Sequence, residues 1–250
     1  MNFALETRGL EKQFGGLKVT HDLSLRIAPG ARHAVIGPNG AGKTTVINLL
    51  TGVLKPNGGR ILLEGGDITD LPVHDRVRRG LSRTFQINQL YADLTPIETI
   101  GLVVSERAGH GGDWWRRVGT RDDVNAEIAE NLARFHLLDV MNEPTATLPY
   151  GKQRLLEIAV AIATKPRVLL LDEPAAGVPE GERHDILAAV AALPRDVTVL
   201  LIEHDMDLVF SFADRISVLV AGALLVEGSP DEVARDPRVK AVYLGEAADA

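Results

Sequence analysis

Apolar and polar residues alternate first near the N-terminal end, where Leu23, Leu25 and Ile27 are separated by Ser24 and Arg26, as along a strand with one buried face. Residues 3–36 read as short strands turning at Gly15-Gly16 and Pro29-Gly30, an antiparallel lead-in. The apolar run Ala34-Val35-Ile36 is followed, past a glycine-rich turn, by the helix-like run Val46-Ile47-Asn48-Leu49-Leu50. A Pro/Gly turn over 52–59, a strand over 60–64, a short helix over 73–79 and a strand over 82–85 come next. From 95 to 165 the spacing changes to three or four: Ile97, Ile100 and Leu102-Val103, then Ile128, Leu132 and Phe135, then Leu155, Ile158, Ala159 and Ile162. This predicts a mainly helical insertion. It is interrupted over 109–119 by Gly111-Gly112 and Trp114-Trp115-Arg116-Arg117, either a local packing plug or a face for a partner. Val168 to Leu171 is wholly apolar and Val197 to Ile202 is apolar but for Thr198, as strands buried on both faces are, with a helix over 181–193 between them. The tail from Arg215 predicts two strands turning at Gly222 and a polar helix. The expected organisation is α/β: a core over 1–94, a helical subdomain over 95–165, and the rest of the core over 166–250.

The turn after Ile36 reads Gly37-Pro38-Asn39-Gly40-Ala41-Gly42-Lys43-Thr44-Thr45, which fits Gly, four residues, Gly-Lys-Ser/Thr, the phosphate loop of NTPases. Glycines at 37, 40 and 42 let backbone N–H groups approach phosphate oxygens with no Cβ in the way. A helix beginning near Gly42 adds its unsatisfied N–H groups and the positive end of its dipole. Lys43 supplies charge to the β- and γ-phosphates, and the Thr44 hydroxyl a ligand for Mg²⁺. Asp172 and Glu173 end an apolar strand where a parallel sheet binds its ligands. There Asp172 can hold the Mg²⁺ of the nucleotide and Glu173 can orient or deprotonate a water. His204 ends the next apolar strand and points to a γ-phosphate contact, or to a structural histidine. Phe14, in the lead-in, is a small core aromatic or a ring stacked on the adenine base, with Val19 as a second wall. Gln86, at a strand end, is locally a solvated amide or a functional one.

Composition narrows the setting. With 250 residues, 45% of them hydrophobic, the chain can bury one large core and an appended subdomain. A net charge of −7 and 4% aromatic residues argue against a broad nucleic-acid surface, so no nucleic-acid partner is expected. No apolar run approaches the roughly 20 residues that cross a bilayer. Residues 1–8 lack the layout of a secretory signal, and there is no cysteine; both favour the cytoplasm, and the latter excludes cysteine nucleophiles and Cys-based zinc sites.

In order along the chain, Gly37 to Thr45, Gln86, Leu148-Pro149-Tyr150-Gly151-Lys152-Gln153, Val168 to Glu173 and His204 resemble the ATP-binding subunits of ABC transporters over nearly the whole length. The runs from Gly151, Glu173 to Gly177, Leu201 to Met206 and Tyr243-Leu244-Gly245 look most like the branched-chain amino-acid importer branch. The resemblance implies a phosphate-loop NTPase core of ABC ATPase type that hydrolyses Mg-ATP at the cytoplasmic face of the inner membrane. Its implied partners are transmembrane permease subunits, a second ATP-binding subunit in a homo- or heterodimer, and indirectly an extracytoplasmic solute-binding protein. In such a dimer ATP lies between the phosphate loop of one subunit and the signature segment, here Pro149, Tyr150, Gly151 and Lys152, of the other. Gln86 would sense Mg²⁺ and water, Glu173 would act on the attacking water, and His204 would hold the γ-phosphate. The common signature is Leu-Ser-Gly-Gly-Gln, so Pro149 stands in the Ser place and Tyr150 in that of the first Gly; Pro179 replaces a usual Asp. Alternatives are a nucleotide-gated interaction subunit with weak hydrolysis, or an ATPase serving another substrate such as a lipid or amide. A genome-maintenance ATPase is disfavoured by the lack of a long heptad insertion.

Overall fold

In the computed structural model, which describes residues 3–84, 90–109 and 122–246, the chain divides into two compact units. One comprises Met1–Arg83, Arg167–Glu173 and Leu193–Ala250; the other comprises Thr84–Pro166 and Pro174–Ala192. The helical unit thus opens before residue 95, and it also takes in 174–192 because the helix there packs on the helix over 150–163.

The first unit holds two sheets. β1 (Leu5–Phe14), β2 (Leu17–Leu23), β3 (Arg26–Ile27), β5 (Gly58–Leu63) and β6 (Gly66–Asp67) form an antiparallel sheet in the order β2-β1-β5-β6, with β3 also on β1. β4 (Arg32–Ile36), β7 (Leu81–Arg83), β8 (Val168–Asp172), β9 (Thr198–Ile202), β10 (Arg215–Val220) and β11 (Ala223–Gly228) form the other, in the order β11-β10-β4-β9-β8-β7. Its pairings are parallel from β10 through β7, and β11 turns back antiparallel. The register sets Val35 beside Ile202 and Ile202 beside Asp172, so β4, β9 and β8 end along one edge. All residues of β4, β8 and β9 are buried, which accounts for their apolar runs Ala34 to Ile36, Val168 to Leu171 and Val199 to Ile202.

Helix α1 (Lys43–Thr51) contributes Val46, Ile47, Leu49 and Leu50 to one core cluster with Leu10, Leu23, Leu25, Ile61, Leu170 and Leu200. Each such burial is worth about 1.5–3 kcal/mol, which fixes α1 in the unit far more firmly than helix propensity could. Its last turn carries no basic residue and ends at Gly52, in left-handed conformation with φ 82°. The missing cation comes from α2 (Val73–Arg78). The buried Arg76 guanidinium donates to the carbonyls of Leu49 (2.7 Å), Leu50 (2.6 Å), Thr69 (2.7 Å) and Leu71 (2.9 Å).

In the helical unit, α3 (Pro96–Arg107) opens on a capping box between Thr95 and Glu98 with Pro96 in its first turn. α4 (Asp122–Arg134), α5 (Tyr150–Ala163) and α6 (Glu180–Ala191) complete it, with two single 3₁₀ turns over Leu138–Val140 and Thr145–Thr147. Ile100, Val104, Ile128, Leu132, Phe135, Leu155, Ile158 and Ala159 are buried. Leu102, expected on the apolar face, is instead 53% exposed; the buried stripe of α3 runs through Ile100 and Val104. Arg107 grips both carboxylate oxygens of Glu127 at 2.5 and 2.6 Å, joining α3 to α4. The core unit ends in α7 (Met206–Phe212), α8 (Pro230–Arg235) and α9 (Pro237–Glu246). Trp114 and Trp115 lie outside the described residues.

Candidate functional site

At the end of β4 the chain must leave the sheet beside β10, and Gly37 is required there because a Cβ would lie 2.2 Å from the Leu219 carbonyl oxygen. The loop then turns through Gly40 (φ 78°) and Gly42 (φ 94°), both in the left-handed region that only glycine enters freely. Gly42 is the N-cap of α1, and the first turn of α1 holds no acid. The positive end of the helix is therefore left for an external anion. The buried Lys43 ammonium lies along this loop, donating to the carbonyls of Gly37 at 2.5 Å and Pro38 at 3.0 Å. Thr44 is exposed at the same helix end. Pro38, Asn39, Ala41 and Thr45 complete the loop and first turn, and the Ala41 carbonyl accepts from the Gly222 N–H at 3.0 Å, which pins the loop to the β10–β11 turn.

Asp172 closes β8 at the same sheet edge, 1% exposed. Arg83, at the end of β7, donates to its Oδ2 at 2.8 Å and to Asn48 Oδ1 of α1 at 2.7 Å. Burial pushes the Asp172 carboxyl above its usual range, and the Arg83 charge opposes that push. Its other oxygen, Oδ1, is buried and meets no hydrogen-bond donor. An orphaned carboxylate oxygen is costly unless a cation or donor reaches it, so the residues fit Mg²⁺ brought by a nucleotide. Asp172 and the Thr44 hydroxyl would hold it. Among the described residues no three His, Cys, Asp or Glu side chains cluster as a metal site.

Glu173 follows with φ 48°, a conformation costing a non-glycine residue roughly 1–2 kcal/mol. Its N–H donates to the Ile202 carbonyl at 2.9 Å, so the strained turn is held from β9. His204, just past β9, has Nδ1 3.9 Å from Glu173 Oε1 and 3.6 Å from Glu203 Oε2, with its side chain 66% exposed. Glu203 is buried and accepts the His204 backbone N–H at 3.0 Å. Next to it, Asp205 caps α7. The structure thus gathers Lys43, Thr44, Asp172, Glu173 and His204 along one sheet edge. It adds Arg83, Asn48 and Glu203, which the sequence did not single out.

Phe14 lies at the end of the β1–β2 hairpin, 46% exposed, with Lys12 Nζ 5.1 Å from its ring centroid. It is not a core aromatic. Val19 borders the start of α1: a Cβ on Gly42 would lie 3.0 Å from the Val19 carbonyl oxygen and 3.7 Å from Val19 Cγ1. Gln86 lies outside the described residues.

In the helical unit, Pro149 is the N-cap of α5 with no side-chain hydrogen bond, and α5 has no acid in its first turn. Tyr150 is exposed and Gly151 buried. The Lys152 ammonium is held by Asp139 at 2.9 and 3.1 Å and by the His136 carbonyl, so its charge is engaged within this unit.

A glycine loop feeding a helix, with an acid pair at the adjoining strand end, defines a phosphate-loop nucleotide-binding protein. A family model described as "ABC transporter" matches residues 20–176, and the chain belongs to that family. A second, described as "Branched-chain amino acid ATP-binding cassette transporter", matches residues 223–249. The chain is 43% identical over 251 aligned residues to the high-affinity branched-chain amino acid transport ATP-binding protein BraF of Pseudomonas aeruginosa, covering 97% of this chain and 98% of that one. It is 40% identical to the corresponding protein LivG of Escherichia coli, with the same coverage. Among solved structures, an ATP-binding cassette of an ABC transporter in its ADP conformation aligns with a TM-score of 0.84 and 31% identity, over 98% of this chain and 99% of that one.

Proposed function

We propose that this chain is the ATP-hydrolysing subunit of an importer, coupling Mg-ATP turnover to uptake of branched-chain amino acids through membrane partners. The observation that carries the reading is the shared sheet edge, where the loop over 37–42, the orphaned Oδ1 of Asp172, Glu173 and His204 meet in one unit. Backbone N–H groups of the loop and of the first turn of α1 bind the phosphates, and Lys43 exchanges its carbonyl partners for phosphate oxygens. Mg²⁺, when bound, neutralises phosphate charge and orients the triphosphate. Glu173 accepts a proton as water oxygen bonds to the γ-phosphorus and the bond from that phosphorus to the ADP oxygen breaks. His204, steadied by Glu203 through its backbone, donates to the γ-phosphate.

The solute is inferred from the named relatives, and the partners from the family. They are transmembrane permease subunits, a second ATP-binding subunit that contributes its signature segment, and a solute-binding protein acting through the permeases. Among the described residues no helix is long and apolar enough to cross a membrane, which suits a peripheral place on the cytoplasmic face. The test is ATPase activity and uptake of labelled leucine by the reconstituted complex, with Glu173→Gln as the probe. That variant is expected to bind ATP and to lose turnover by about 10²–10⁴, or roughly 3–5 kcal/mol. Normal turnover in the variant refutes the role of Glu173. A complex that hydrolyses ATP yet moves no leucine, isoleucine or valine refutes the solute.

A further inference from the structure

Tyr150 occupies the place where the commoner signature has its first glycine, and its side chain has definite partners within the helical unit. Its hydroxyl donates to the Ala176 carbonyl at 3.3 Å. Gly177 (φ 75°) leaves room for the ring: a Cβ there would lie 3.2 Å from the tyrosine oxygen and 3.3 Å from Cε1. From α5 itself, the Arg154 guanidinium carbon stands 5.2 Å from the ring centroid. Arg154 is buried and paired with Glu157 at 2.7 Å, so it is a fixed neighbour. The ring is thus held both by the first turn of α5 and by the loop over 174–178, which follows Glu173 directly in the chain. A glycine at 150 would make none of these contacts and would loosen the backbone as well.

We propose that Tyr150 is a positioning residue that fastens the 174–178 loop to the first turn of α5, so that the signature segment and the segment after the catalytic glutamate respond to nucleotide as one piece. The inference rests on the hydrolase reading above. It assigns the exchange of glycine for tyrosine a purpose: direct side-chain coupling replaces a flexible backbone. Tyr150 acts through the loop and transfers no proton.

The test measures steady-state ATPase of the reconstituted complex together with equilibrium ATP binding by the purified chain. Tyr150→Phe keeps the ring and loses the bond to Ala176, and kcat is expected to fall about two- to threefold. Tyr150→Gly loses both, and kcat is expected to fall about five-fold or more while the ATP Kd of the isolated chain, set by residues 37–45, stays within about two-fold. Gly177→Ala crowds the ring and should lower kcat in the wild-type background. In the Tyr150→Gly background the crowding is gone and only the strain of the left-handed backbone at 177 remains, so its effect should be smaller, a non-additivity expected of groups in contact. Should Tyr150→Gly fail to assemble, Tyr150→Leu takes its place with the same expected split. Wild-type kcat in the glycine variant, multiplicative effects in the double variant, or a loss confined to ATP Kd would each overturn the proposal. A wild-type complex without ATPase activity would instead refute the hydrolase reading itself.

Discussion

Replacing Arg83 by Met tests how the charge of the buried Asp172 is compensated in the interior. Arg83 and Asp172 are 10% and 1% exposed, and their 2.8 Å contact is the hydrogen bond to Oδ2. Taking one partner from a buried pair leaves an uncompensated charge, at a cost of about 3–5 kcal/mol. Against a total stability of roughly 5–15 kcal/mol, the variant should remain folded but measurably weaker. The sign with pH follows from the direction of the shift. The native pKa of Asp172 already lies above its unfolded value through burial, and loss of the opposing Arg83 raises it further. The native state of Arg83→Met then binds more protons than the unfolded state between those two values, so the penalty is full above the native pKa and is relieved as pH falls. Urea unfolding at pH 8 and pH 5.5 reads this directly, as a loss of about 3–5 kcal/mol against wild type that shrinks at the lower pH. Adding Asp172→Asn should recover most of it, since the buried charge is gone. A loss under about 1 kcal/mol at pH 8, the range of exposed pairs, or no recovery in the double variant, would refute the argument.

His33 is buried with Nε2 2.8 Å from Ser217 Oγ, and burial pulls its pKa down to about 4. Because the unfolded chain protonates first, stability should be full above about pH 6.5 and fall by up to about 3 kcal/mol as pH drops through the native value. A His33→Asn variant with the same slope of urea midpoint against pH would sink this. Phe14→Ala should weaken ATP binding by about 1–3 kcal/mol, the worth of one stacked base. Inorganic tripolyphosphate, which has no base, should bind both proteins alike; an equal loss for it would show that the ring does not stack on adenine.

The phosphate loop and the two inner strands were legible because their chemistry is local. Val168 to Leu171 and Val199 to Ile202 are uniformly apolar because both sheet faces are covered, and the acids that end them fall where a parallel sheet must bind ligand. Arg83 was hidden, since its partner Asp172 lies 89 residues away and only the pairing of β7 with β8 brings them together. Nothing local marks Glu203 out beside His204; folding buries it under the backbone it holds. Periodicity misplaced Leu102 because Leu102-Val103 offers two phases to one helix, and packing chose the one through Ile100 and Val104. The sequence placed Lys152 with the nucleotide, but Asp139, thirteen positions earlier, competes for its charge within the helical unit.

Arg76 carries a consequence for how the site moves. One planar cation satisfies the trailing carbonyls of α1 and, at once, those of Thr69 and Leu71 in a neighbouring turn. The rod that points at the phosphates is therefore anchored at its far end, and a lysine, with a single nitrogen, could not serve four oxygens in that plane. Loading and release of nucleotide must then be absorbed at the front, by rotation about the backbone of Gly40 and Gly42, while the rear stays fixed to the core.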